Sequence, residues 1–292
     1  MIIDGHAHFE STETVKIRLK RKDISEQWRT ILQQRMKNLP ETKKAAQLWA
    51  ESLEVTGCEK AVLMINDLDI LKKVIRLYPA KFIGCLFVNP LETEMNNVLK
   101  LIQKALDNGV KAIKFHVSGL SKFYPAERKY DTLWEYLEEK QIPTYFHFGL
   151  TRYHTTRIAN PLELDEVLSR YPKIQSVISH FGAGYLRESL FLAYKYKSLY
   201  VDSSGRNTWL NYSGIPKLAL SDVFEMAIEA FGEDRVIFGT DSGFNSSGIR
   251  PSVLDLHSKA IKEAITHLEL GEKVWSKIMG NNAARFLGIS RN

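Results

Sequence analysis

The chain has 292 residues, 44% hydrophobic and 25% charged, with 40 basic against 34 acidic side chains and a net charge of +6. That apolar content excludes a disordered chain, and no stretch approaches the ~20 apolar residues of a membrane span. The basic excess suits anionic small molecules without requiring a nucleic-acid partner. The two cysteines, Cys58 and Cys85, fit no disulfide or C-x-x-C framework and read as reduced residues of a cytoplasmic protein.

The first strand is the apolar run Met1-Ile2-Ile3 closing on Asp4-Gly5-His6-Ala7-His8. Alternation along a strand puts Asp4, His6 and His8 on one face, so two imidazoles stand side by side at a fixed spacing, as a divalent cation requires. No secretory leader is expected ahead of these residues. Residues 10–44 form a polar, basic insertion with helical spacing at Trp28, Ile31, Leu32, Arg35 and Met36, broken at Pro40. Its place after a ligand-bearing strand suggests a partly helical lid; a peripheral helix or oligomer contact stays open.

From Thr42 the pattern becomes regular. A helix ends at Gly57; strand Lys60–Ile65 precedes a helix over Leu68–Leu77, and strand Phe82–Val88 precedes a helix over Glu92–Leu106. Strand Val110–Val117 is followed by a helix through Tyr130, Leu133, Trp134 and Leu137, and strand Pro143–Phe148 by a helix near Leu162–Tyr171. Strands Ile174–His180, Leu199–Asp202 and Arg235–Thr240 alternate with helices over Leu186–Tyr196, Val223–Phe231 and Val253–Leu268. Strand then helix, eight times over, predicts a parallel sheet, and a chain a little above ~250 residues suits a closed single-domain (β/α)8 barrel. An open doubly wound sheet is the rival; no Gly-x-Gly-x-x-Gly follows the first strand to support its nucleotide-binding form.

The polar candidates fall at the C-terminal ends of strands, where such barrels keep their chemistry. They are His6 and His8, Lys114 and His116, His147, His180, and Asp241. Singly, each has a bland explanation as a bonded core histidine or a turn residue; four strands each ending in His or Asp favour a metal site. Weaker candidates for gripping a substrate carboxylate are Arg152 after strand five and Arg206 after strand seven. His257 and His267 are given no role.

These motifs resemble the amidohydrolase superfamily of metal-dependent barrels, and within it the amidohydrolase-related group that includes the aminocarboxymuconate-semialdehyde-type decarboxylases. The matching pieces are Asp4-Gly5-His6-Ala7-His8, Pro143…His147-Phe148-Gly149, Ser179-His180-Phe181-Gly182, Gly239-Thr240-Asp241 and Asn282-Ala283-Ala284-Arg285-Phe286-Leu287-Gly288. The resemblance implies that His6, His8, His147 and Asp241 hold one divalent ion, zinc or alternatively manganese, with His180 beside it as general acid/base. A bound metal lowers the pKa of its water toward ~7; the hydroxide attacks an acyl carbon, and Asp241 carries the proton to the leaving group. In two-metal relatives a lysine at the place of Lys114 is carboxylated and bridges the ions; one ion is preferred here, with Lys114 and His116 as polar neighbours or substrate contacts.

The expected activity is hydrolysis of a small amide, ester or lactone, with anionic substrates allowed by the charge. A decarboxylase or hydratase acting on a carboxylated substrate is the alternative. A TatD-like nuclease is a further one, disfavoured because its strand-four Glu is replaced by Lys114, and a noncatalytic barrel would not need all five of these histidine and aspartate residues. The partner is a small-molecule substrate, neither nucleic acid nor membrane, and the resemblance makes a homodimer plausible.

Overall fold

The computed structural model describes residues 1–289 except 22–23, 25, 121, 151–158, 213–217 and 245–246. The order is β1 (Ile3–His8), α1 (Thr12–Leu19), α2 (Glu26–Met36), α3 (Thr42–Thr56), β2 (Lys60–Ile65), α4 (Leu68–Leu77), β3 (Phe82–Phe87), α5 (Met95–Asp107) and β4 (Ala112–Phe115). It continues with α6 (Asp131–Glu139), β5 (Thr144–Phe146), α7 (Glu163–Arg170), β6 (Ser176–Ile178), α8 (Leu186–Lys195), β7 (Leu199–Asp202), α9 (Leu220–Phe231), β8 (Val236–Ile237), α10 (Pro251–His267), α11 (Lys273–Ser276) and α12 (Asn282–Phe286). The eight strands pair in chain order, every pair parallel, as the (β/α)8 reading expects. Among the described residues no helix is long and apolar enough to cross a membrane.

Punctuation residues set the helix ends. Asp67 accepts the Ile70 amide at 2.8 Å to start α4. Gly57, at φ 69°, stops α3 in the left-handed conformation. Alternation survives inside the apolar strands and divides the core. Ile3, Val62, Met64, Ile83, Cys85, Ala112, Tyr145, Val177 and Ile237 form one cluster, closed at the N-terminal end of the strands by Ala283, Ala284 and Phe286 of α12. Leu63, Leu86, Ile113, Phe146, Ile178, Val201 and Val236 take the other strand face, in the larger cluster with the helices. Lys114 lies two residues beyond Ala112, so it shares the inner face, fully buried.

The seam between β8 and β1 is made by rim residues rather than a long ladder. Gly5 N–H donates to Phe238 O (2.9 Å), Asp241 N–H to His6 O (2.9 Å) and His8 N–H to Ser242 O (2.7 Å). The backbones run so close that a Cβ on Gly243 (φ +109°) would sit 1.5 Å from His8 O. Asp4 clamps the seam: Oδ1 accepts the amides of Thr240 (2.9 Å) and His6 (3.2 Å), while Oδ2 accepts the Thr240 hydroxyl. Burial pushes the Asp4 carboxyl up to about 7 against the pull of these donors.

Strands five, six and eight are shorter than their apolar runs, because the residues at their C-terminal ends leave the ladder. The insertion contributes α1, α2 and the start of α3. Its own small apolar cluster of Val15, Leu32 and Leu39, edged by Trp28 and Met36, is separate from the barrel core.

Replacing Asp4 with Ala strands a buried Thr240 amide. Urea unfolding is expected to show a loss of about 2–4 kcal/mol, against less than ~0.5 kcal/mol for Val55→Ala at a position 87% exposed.

Candidate metal centre

His6 and His8 arrive on β1, Lys114 on β4, and His116 and His147 one residue past β4 and β5. His180 lies in the turn after β6, and Asp241 follows β8. One ligand atom each from His6, His180 and Asp241 fall within 4.8 Å of one another. His8 joins through Asp241, its Nε2 3.0 Å from Oδ1, while His6 Nε2 stands 3.9 Å from the same oxygen. Atoms sharing a zinc ion at about 2.0–2.2 Å stand roughly 3–3.5 Å apart, so these spacings are close to those of ligands around one ion. His147 is one step further out, with Nδ1 3.0 Å from His180 Nε2.

Proton placement follows from Asp202, which can only accept. Its Oδ2 takes the Nδ1–H of His6 (2.8 Å), and Oδ1 takes the amides of His180 (2.9 Å) and Ser204 (3.0 Å) and the Ser204 hydroxyl. With its own proton on Asp202, Ser204 Oγ accepts from His180 Nδ1 at 2.7 Å. His180 Nε2 therefore accepts from His147 Nδ1–H. This assignment leaves Nε2 of His147 buried without a hydrogen-bond partner, and leaves Nε2 of His6 a lone pair met by Lys114 Nζ at 3.4 Å. A divalent cation satisfies both, so the donor set fits the metal that the motifs imply.

Charge supports the same arrangement. Burial lowers His6 to about 3 and holds His147 well below the usual imidazole range, so both stay neutral. Burial disfavours charge on Asp202 and Asp241, yet the histidines around them prevail and hold both below the usual carboxylate range. Lys114, fully buried, is lowered to about 8; its Nζ donates to Ser179 Oγ at 2.7 Å and lies 3.4 Å from His6 Nε2. His116 stacks on His147, centroids 4.1 Å apart.

Local strain holds the rim. His180, Phe181, Gly182, Ala183 and Gly184 all have positive φ, three of them bearing side chains, and Asp241 sits at φ +53°. Gly149, the glycine of His147-Phe148-Gly149, lies against this turn: a Cβ there would be 2.4 Å from that of Ala183.

Asp202 was missed as a functional residue; the available signal was an Asp closing strand seven. Arg206 is exposed at the rim. Arg152 lies outside the described residues. His267 is an exposed partner of Glu225 at 2.6 Å. His257, given no role from sequence, is fully buried on α10 and braces the loop that carries Ser204. Its Nδ1 accepts from Ser203 Oγ (3.0 Å) and its Nε2–H donates to Gly205 O (2.8 Å).

With fold and rim in place, the comparisons agree. The amidohydrolase family model matches residues 3–289, and the chain belongs to that family. It is similar to 5-carboxyvanillate decarboxylase from Sphingomonas paucimobilis (TM-score 0.70, 12% identity, 99% of each chain covered). It is also similar to a probable 2-pyrone-4,6-dicarboxylic acid hydrolase from Acinetobacter baumannii with citric acid bound (TM-score 0.67, 16% identity, 99% of each chain). A zinc-bound amidohydrolase from Burkholderia multivorans shares the fold as well (TM-score 0.67, 13% identity, 99% of this chain and 100% of that one). No curated protein matches the sequence.

His257 supplies a pH test. Burial lowers it from 6.5 to about 4, so the folded state keeps it neutral where the unfolded state protonates. Its contribution is complete above pH 6.5 and is lost as pH falls toward 4, a loss of about 3 kcal/mol. Urea titrations of parent and His257→Gln at pH 7 and pH 4 are expected to show the variant's deficit shrinking by about that amount at pH 4.

Proposed function

We propose that this chain is a metal-dependent hydrolase that cleaves a small amide, ester or lactone. The observation that carries the proposal is the directed set of nitrogen and oxygen atoms at the rim. His6 and His147 each carry their proton on Nδ1, so Nε2 of His147 is buried without a partner and Nε2 of His6 meets Lys114 at 3.4 Å, and His8 and Asp241 meet at 3.0 Å beside them. In this reading His6, His8, His147 and Asp241 hold one divalent ion, zinc or manganese, and Lys114 remains an amine bonded to Ser179. When bound, the ion acidifies water and polarises a carbonyl oxygen.

The chain's own groups then divide the work. Asp202 holds His6 in the tautomer that leaves Nε2 available. Asp241, kept ionised by His8 and His180, accepts the proton of the attacking water and delivers it to the leaving nitrogen or oxygen. His180 is anchored on its Nδ1 side by Ser204, and its Nε2, which accepts from His147 Nδ1–H in this structure, is the basic nitrogen that would exchange that hydrogen bond for a proton of the substrate. Insertion 10–44 covers the mouth as a lid.

Decarboxylation of a carboxylated substrate is the second reading. It is favoured by the likeness to 5-carboxyvanillate decarboxylase, and it uses the same residues, with protonation of the substrate carbon that carried the carboxylate, as carbon dioxide leaves, replacing attack by water. A panel of lactones, anilides and aromatic carboxylates separates the two: ring or amide opening supports hydrolysis, and release of carbon dioxide supports the lyase. A reducing compartment, the cytoplasm, suits the unpaired buried thiols of Cys58 and Cys85. A homodimer is the proposed assembly, checked by light scattering.

Elemental analysis is expected to give about one metal per chain; a ratio near two would assign a second ion to a carboxylated Lys114. His147→Ala is expected to weaken zinc binding about 10- to 100-fold, while His180→Asn keeps its zinc and loses roughly 100-fold or more in kcat. The reverse pattern would make His180 the ligand.

A further inference from the structure

The three imidazoles proposed as ligands are oriented in different ways. His6 gives its Nδ1–H to Asp202 at 2.8 Å, and His147 gives its Nδ1–H to His180 at 3.0 Å. A bond of this kind on the far ring nitrogen normally fixes the plane and tautomer of a metal-binding histidine. His8 has none: among the described residues its Nδ1 is buried without a hydrogen-bond partner. Its one side-chain bond, Nε2 to Asp241 at 3.0 Å, is made by the nitrogen that a metal would take.

Aromatic rings stand where the hydrogen bond is lacking. Phe244 lies against the His8 imidazole with centroids 4.2 Å and planes 34° apart, and Phe87 of β3 flanks it at 5.7 Å and 27°. Near-parallel packing at these separations restricts rotation of the imidazole about χ2. The backbone is shaped to put Phe244 there. His8 N–H donates to Ser242 O at 2.7 Å, and Gly243, at φ +109°, passes so near β1 that a Cβ would stand 1.5 Å from His8 O. The next residue is thereby delivered onto the His8 ring. The Arg35 guanidinium, 3.6 Å from the Glu10 carboxylate, lies 5.6 Å from the Phe244 ring and helps to hold it.

We infer that Phe244, assisted by Phe87, is the positioning residue for His8: the two rings set the imidazole plane that hydrogen bonds set for His6 and His147. This rests on the reading of His8 as a metal ligand. It makes one short segment after β8 serve the site twice, since Asp241 enters it directly and Phe244, three residues on, acts through His8.

The test is a chelator-competition titration of the metal-free full chain with zinc, and with cobalt(II), whose visible spectrum reports ligand geometry. Phe244→Leu keeps an apolar side chain and removes the ring. It is expected to bind zinc about tenfold more weakly than the parent and to shift the cobalt band, with the melting temperature of the metal-free protein within a few degrees. Phe244 is partly exposed, so Phe244→Tyr can keep the ring with its hydroxyl in water, and should retain the parent's affinity and spectrum. Phe87→Leu asks the same question from β3 and should also weaken zinc, so the question stays answerable if the loop variant folds poorly. Parent-like zinc affinity and cobalt spectrum in both leucine variants, or an equal loss in Phe244→Tyr and Phe244→Leu, overturns the proposal. His8→Ala separates this inference from the reading beneath it. If His8→Ala loses zinc affinity while the leucine variants do not, His8 remains a ligand and only the positioning role falls. If His8→Ala binds zinc as the parent does, His8 is no ligand and both fall.

Discussion

The carboxylate of Asp202 is the interaction on which the rim depends. It is fully buried at the end of β7, and its two oxygens collect donors from three separate strands or strand ends: His6 on β1, His180 after β6 and Ser204 after β7. A buried anion without donors would be expelled or protonated. Surrounded this way it stays charged, and because it can only accept, it dictates where neighbouring protons go. The unprotonated Nε2 atoms of His6 and His147 follow from it through a short relay of hydrogen bonds.

Geometry at the rim is held by backbone choices that cost stability. The left-handed run from His180 to Gly184 and the left-handed Asp241 are conformations that side-chain-bearing residues rarely take. They persist because the surroundings over-determine them. Asp202 accepts the His180 amide, Gly149 leaves room for Ala183, and the Asp241 amide is tied to His6 O across the seam. Both strained stretches present a functional candidate at the moment the chain leaves its strand. Those strands are short for the same reason.

The insertion after β1 is built differently. Its apolar cluster is small, and the contacts that hold α1 against the end of β1 and the start of α3 are largely polar: the buried Glu10–Arg18 pair, the Ser11 and Thr42 hydroxyls at 2.9 Å, and Glu13 accepting the Thr42 amide at 3.0 Å. A segment joined this way can open at lower cost than an element of the main core.

Much of this was legible in the linear chain. Strand–helix alternation fixed the barrel, since a parallel sheet needs a helix to return each strand, and an apolar run bounded by Gly, Pro or Asp marks each element. The ends of those runs named His6, His8, Lys114, His116, His147, His180 and Asp241 as rim residues, because one end of every strand in such a barrel faces the same opening. Sequence could not show which of them lie within reach of each other. The close set of His6, His180 and Asp241, with His147 beyond His180, depends on backbone turns at residues 180 and 241 that composition does not reveal. Asp202 and His257 were hidden because their importance is relational, arising from contacts across some 50 to 200 residues of chain. Local patterns determine which residues reach the rim; only the closed barrel decides who bonds to whom there, because hydrogen bonds depend on distance in space and sequence records only order.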